Sequence, residues 1–430
     1  MTENTETTMR PAPAAPTTQP PPAAVARRAG AETSAAPEIR ASLDRLIAWL
    51  RAHDYAAYDT FDGLSAWYLR PFTFQRKLPQ QILQQAVRRF PLNIRPILGI
   101  PKRRSTKGQA FIARGYLRLA AAAREAAERE AWESEARAAL DWLLEHPSRS
   151  YSGLCWGNHF DYQSRGFYLP KGAPTVVWTS LIGMAFLDGY RRLGERRYLD
   201  AAVSACRHIQ LDLARHPHGE AVCINYIVGT ECQVHNANVL GAALLAETYR
   251  ETGEEALRDL ARRAAMYTAE RQLPDGAWYY GEAEIVHWID SFHTAYVLDS
   301  LRHYADATGD PTFAPQLERG YAYWKQTFFL PDGTPRYYHN KTLPLDIQCA
   351  SQAIDTLVYF SDRDPDALEL ALRVARWTIA NMQDRSGYFY YRRYSRRIVN
   401  RTPTLHWGQA TMLSALAALF LALLDGSAKP

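Results

Sequence analysis

Six segments of this 430-residue chain place a small residue at one level of an apolar helical pattern: Gly115, Gly189, Ala242, Ser300, Thr356 and Ala415, at intervals of 74, 53, 58, 56 and 59 residues. This repeat constrains the fold more than any single motif. Small side chains at a shared level let helix backbones crowd together, as the inner wall of a closed ring requires. The apolar helices are expected over 111–122, 178–191, 236–249, 290–304, 347–360 and 408–424. A second, amphipathic and more charged class alternates with them over 39–53, 127–146, 198–215, 256–272, 312–328 and 366–382. In the first of these, Ile39, Leu43, Leu46, Ile47 and Leu50 make one apolar stripe. Gly194, Gly253 and Gly309 offer left-handed caps after three inner helices, so those turns are tight. The return passages, 54–105, 147–177, 216–235, 273–289, 329–346 and 383–407, are long and fall at one end. The pattern predicts an all-α (α/α)6 toroid over 38–430, with six inner and six outer helices and long aromatic loops on one face.

Residues 1–37 hold Pro, Ala or Thr at 24 positions and no Phe, Trp or Tyr, which reads as a disordered tail with little to bury. With 50 Lys and Arg against 45 Asp and Glu, the charge of +5 does not call for nucleic acid. Five cysteines without a CxxC pair argue against a disulfide framework and a zinc site, and no phosphate loop or dinucleotide fingerprint occurs. We therefore expect no metal, no cofactor, no membrane insertion and a cytoplasmic location, the apolar run 410–424 being short of a bilayer span.

Ligand-binding groups concentrate on loops held by a rigid scaffold, so the loop face is the expected site. Trp156, Trp288, Tyr280, Tyr338 and Tyr391 would make its wall aromatic, and such rings stack on sugars while their polar edges bond hydroxyls. Asp161, Arg392 and His406 join them as substrate-binding candidates. Hydrolysis of a glycosidic bond needs two carboxyl groups facing each other across it. Asp290 or Asp62 as base and Glu231 as acid are the candidates, drawn from different loops. Abstraction of a proton beside a carboxylate instead needs a base and a steadied enolate, for which His235 and His293 serve as acid or base and Arg392 as counter-charge. Asp290 and the matching Asp346 also read as plain helix N-caps. A third reading is a sugar-chain binding or assembly factor without a competent acid–base pair.

The helical repeat resembles the six-hairpin glycosidase-like superfamily of toroids. More closely, the segments Tyr58-Asp59-Thr60-Phe61-Asp62-Gly63-Leu64, 225–235 and Trp288-Ile289-Asp290-Ser291-Phe292-His293 look like bacterial VpsJ-like polysaccharide biosynthesis proteins. The resemblance implies a role in exopolysaccharide metabolism and a polysaccharide or oligosaccharide partner. The superfamily implies hydrolysis, elimination or epimerisation on one scaffold, a choice that fold alone does not make.

Overall fold

The computed structural model describes residues 22–229 and 231–426. An outer helix α1 (Pro22–Ala52) opens the chain, and a short helix α2 (Lys77–Arg89) lies in the first long loop. Five inner–outer hairpins follow: α3 (Thr106–Ala122) with α4 (Ala126–Glu145), α5 (Val176–Leu193) with α6 (Arg196–Leu211), α7 (His235–Thr252) with α8 (Glu255–Ala269), α9 (Ser291–Thr308) with α10 (Ala314–Thr327), and α11 (Ile347–Tyr359) with α12 (Ala367–Met382). The last inner helix, α13 (Ala410–Gly426), packs on α3 and on α11, which closes the inner ring, and α1 covers it from outside.

The small-residue column has two physical causes. At Gly115, α13 crosses so closely that an added Cβ would lie 2.8 Å from Leu413 Cγ, so that position holds inner helix against inner helix. At Gly189 the Cβ would instead meet Leu140 of outer helix α4 at 2.5 Å. Gly194, Gly253 and Gly309 close their helices with φ near +70°, as the tight turns require.

Three expectations change. Residues 22–37, assigned above to the tail, form the start of α1, and Ala35 and Ala36 are buried in the core. The alanines that deny this stretch an apolar core are also the best helix formers, and Pro22 is suited to a first turn. The tail expectation for 1–21 lies outside the described residues. Outer helix α6 stops at Leu211 rather than 215, since Arg215–His218 pairs with Ala221–Ile224 as a β-hairpin through Gly219 at φ +61°. Finally, Leu405–Asp425 is long and apolar enough to match a membrane span, yet 78% of it is buried inside the ring, as a central helix of a toroid should be.

Candidate active site

The six inner N-termini converge at the loop end, and capping fixes where their first residues point. Ser105, Thr175, Asp290 and Asp346 accept from the backbone N–H groups of Gly108, Trp178, His293 and Gln348. The inward positions then form stripes; on α3 they are Lys107, Phe111, Arg114 and Arg118.

Lys107 is buried at this end of the axis. Its Nζ lies 5.1 Å from the Trp178 ring centre, 5.8 Å from Phe111, 5.9 Å from Tyr296 and 6.0 Å from Trp407. Burial pulls its ammonium down to about 8, against the attraction of the Asp59 carboxylate. Beside it, Asp59 Oδ2 lies 2.5 Å from His406 Nδ1, with both side chains buried. Burial alone would raise the Asp59 carboxyl, but His406 holds it below its ordinary value. His406 stands in a π-helical turn, Leu405–Gln409, whose wider winding delivers His406 and Trp407 together to the head of α13. The His406 ring packs edge-on to Trp178 at 5.2 Å.

Four buried polar atoms in this cluster make no hydrogen bond of good geometry: His406 Nε2, Trp178 Nε1, Gln348 Oε1 and Asp59 Oδ2, the last meeting His406 as an ion pair, while His406 Nδ1 also lies 3.3 Å from Ser105 Oγ. The Gln348 amide nitrogen bonds Tyr296 OH at 3.3 Å, which ties Gln348 to the same group of rings. An unmade hydrogen bond in a buried site costs about 1–3 kcal/mol, so each of these atoms calls for a polar partner, whether a water or a ligand group. Phe61 covers Trp407 edge-on at 5.7 Å and meets Tyr162 at 5.0 Å.

A second carboxylate–histidine pair stands at the head of α9. Asp290 Oδ2 accepts from His293 Nδ1 at 2.7 Å and from Trp288 Nε1 at 2.9 Å, while Tyr280 stacks on Trp288 at 4.5 Å and packs against His293. The void between them is about 10 Å³, one water at most, and Asp290 is its sole carboxylate. Asp290 is thus both the N-cap anticipated and the orienting group of a histidine.

Other candidates are engaged elsewhere. Asp62 is buried in an ion pair with Arg95 at 2.8 Å, burial raising its carboxyl to about 6, so it braces the first loop and faces no open space. Glu231 is exposed, away from any ion pair among the described residues. Asp161 is tied to Arg70 at 2.6 Å. His235 leans on Tyr267 of outer helix α8 and approaches Glu282 at 3.8 Å, between the two rings of helices; burial drops its pKa to about 4. Trp156 is a correction: its indole is fully buried and donates to the Leu143 carbonyl, so it is core. Tyr391 is also buried, accepting from Arg88, and Arg392 is neutralised by Asp346 at 2.5 Å. Tyr338 remains half-exposed beside Tyr337. Among the described residues no group of three or more His, Cys, Asp or Glu converges as a metal cage.

Sequence reasoning missed Lys107, Trp178, Gln348 and Asp59. The signal for Lys107 was available: it stands four residues before Phe111 on the inward stripe, in the first turn of a helix whose N-terminus faces the axis.

A void much larger than the one beside Asp290 lies away from the expected funnel. A cavity of about 540 Å³ opens at the opposite end, among the inner C-termini, lined by Arg114, Arg118, Asp188, Asp299, His303 and Asp355 among others. Arg114 pairs with Asp188 at 2.7 Å and Arg118 with Asp355 at 2.6 Å. Asp299 accepts from Gln352 and Thr356, and burial followed by the Asp355 charge raises its carboxyl to about 8.

Solved structures of other proteins share this arrangement of helices. The fold is the six-hairpin (α/α)6 toroid. A cellobiose 2-epimerase from Bacillus thermoamylovorans B4167 superposes with a TM-score of 0.57 at 14% identity, covering 75% of this chain and 90% of that one. The family 76 α-mannanase BT2949 of Bacteroides thetaiotaomicron gives 0.55 at 13%, over 75% and 86%. A D-mannose isomerase gives 0.54 at 11%, over 74% and 87%. No family model and no curated protein matches the sequence. At these identities the likeness establishes the fold, and it does not single out the VpsJ-like branch of the superfamily.

Proposed function

We propose that this protein is a carbohydrate-active enzyme that moves a proton on and off carbon, of the sugar epimerase or isomerase type, at the loop end of the ring. The observation that carries this reading is the buried cluster in which Lys107 Nζ lies over the Trp178 ring at 5.1 Å, His406 packs edge-on to the same ring at 5.2 Å, and His406, Trp178 and Gln348 each keep an unpartnered polar atom. The superposed epimerase and isomerase structures support the class.

His406, oriented by Asp59, takes the proton from a carbon next to a sugar carbonyl through Nε2. The electron pair moves to the carbonyl oxygen, and Lys107 Nζ with Trp178 Nε1 holds the resulting enediolate. Return of the proton to the other face gives an epimer, and return to the neighbouring carbon gives an isomer. His293, oriented by Asp290, is the second histidine able to supply it. Entry requires Phe61, itself packed against Tyr162, to swing off Trp407. The VpsJ-like segments favour bacterial exopolysaccharide metabolism as the setting, and five free thiols favour the cytoplasm.

Hydrolysis is the second reading, and it moves to the other end. The cavity beside Asp299 and Asp355 has room for a sugar between two carboxyl groups, and the raised carboxyl of Asp299 suits the acid role. Incubation with a panel of reducing sugars and of neutral and acidic polysaccharides in heavy water separates the two. Deuterium on a sugar carbon, lost in H406N, supports proton transfer. New reducing ends without deuterium, lost in D299N and retained in H406N, overturn it in favour of hydrolysis.

A further inference from the structure

The first long loop carries a surface that the site does not use. Between Trp67 and Arg104 the chain has nine Lys or Arg and no Asp or Glu, so this one segment exceeds the whole chain's excess of five positive charges. Five of the nine, Arg76, Lys77, Arg89, Lys102 and Arg103, are exposed and make no ion pair among the described residues. The same segment holds eight of the fourteen exposed large hydrophobic residues among those described: Trp67, Phe72, Phe74, Leu78, Ile82, Phe90, Leu92 and Ile97.

Helix α2 is built inside out. Gln80, Gln84 and Val87 are buried, and Gln84 exchanges hydrogen bonds with the backbone of Gln163. Leu78 and Ile82, one turn apart, stand 66% and 60% exposed on the other face, with Arg89 further along it. A helix packed for its own sake turns Leu and Ile inward and Gln outward. The segment then folds back: Tyr68 OH donates to the Ile97 carbonyl, and the Trp67 indole lies against Gly99.

We infer that residues 67–104 form a docking surface for an anionic lipid bilayer, lying in the headgroup layer rather than crossing it. With 13 residues α2 is too short to span. Apolar and aromatic side chains interleaved with unpaired cations are what an interfacial segment needs, the rings and aliphatics entering the acyl boundary and the cations meeting lipid phosphates. The apolar groups project singly and no hollow is needed to receive them, which suits a fluid surface. A second copy of the chain fits poorly, since a two-fold contact through this segment would set cations against cations with no acid between them. This surface stands independently of the reaction proposed above.

Co-sedimentation of the purified full chain with vesicles tests it, using phosphatidylcholine alone and with about 30% phosphatidylglycerol. The expected result is binding to the anionic vesicles only, weakening with salt, and falling at least about tenfold in L78Q/I82Q. Those side chains are exposed, so the variant should keep its fold by circular dichroism. As a measurement that does not depend on it, the wild-type tryptophan emission should shift to the blue on anionic vesicles, and less so in W67F. Absence of vesicle binding at low salt overturns the inference. So does unchanged binding by L78Q/I82Q, self-association lost in that variant without vesicle binding, or retention on a polyanionic resin without vesicle binding.

Discussion

Replacing Lys107 by methionine should make the protein more stable while removing its activity. A shift of the ammonium from 10.5 to about 8 corresponds to about 3 kcal/mol of folding free energy lost at neutral pH by keeping that charge buried. Methionine is unbranched, of similar length and keeps the ring contacts, whereas the cation–π attraction it gives up is worth about 0.5–2 kcal/mol. The net expectation is a gain of about 1–3 kcal/mol in equilibrium urea unfolding at pH 7. The sign of the pH dependence follows from the direction of the shift. Below pH 8 the lysine is charged in both states and the full penalty applies. Between about 8 and 10.5 the folded form is neutral and the unfolded form still charged, so the penalty fades. The advantage of K107M should therefore be largest at pH 7 and shrink by pH 10. A variant less stable than the parent at pH 7, or a difference that does not change with pH, would refute the reasoning.

Asp59→Asn should lower deuterium incorporation into sugar by about 10²–10⁴-fold, because His406 loses the group that fixes its tautomer, and NMR of products in heavy water reads it. Gly115→Val should destabilise by about 1–3 kcal/mol in urea unfolding, since its Cβ would lie 2.8 Å from Leu413 Cγ where the first and last inner helices meet. Trp156→Phe should cost about 1–3 kcal/mol by removing the indole donor from the Leu143 carbonyl, which keeps only the His146 N–H, and by leaving a void in the core, with kcat unchanged because the indole faces no substrate. Asp299→Asn should gain stability over the parent as pH rises from about 4 towards 8, because the buried carboxyl resists an ionisation that the unfolded chain undergoes; calorimetry at pH 5 and pH 8 checks it.

The ring was legible because its causes are local and repeated. Small residues at one helical level, glycine caps at 194, 253 and 309, and alternating apolar and amphipathic periods are all written in adjacent residues. The site was legible only in part. Asp290, Asp346 and His406 lie where inner helices begin, so helix phase located them, and the cap reading of both acids holds. The partners they take do not follow from phase. Asp62 was lost to Arg95, 33 residues on, and Arg392 to Asp346, 46 residues back, through loop crossings that no period encodes. Trp156 sits in an aromatic loop like Trp288, yet its indole turns into the core to satisfy the end of α4, a choice decided by packing. The position of the large cavity was also out of reach, because it depends on how loop side chains fill one mouth of the ring and leave the other open.

A crystal structure with the sugar that takes up deuterium bound would decide where the chemistry lies. The account predicts sugar oxygens within hydrogen-bonding distance of Lys107 Nζ and Trp178 Nε1, the exchanging carbon next to His406 Nε2, and Phe61 displaced from Trp407. A sugar seated among the inner C-termini beside Asp299 and Asp355, with His406 still covered and untouched, would contradict it.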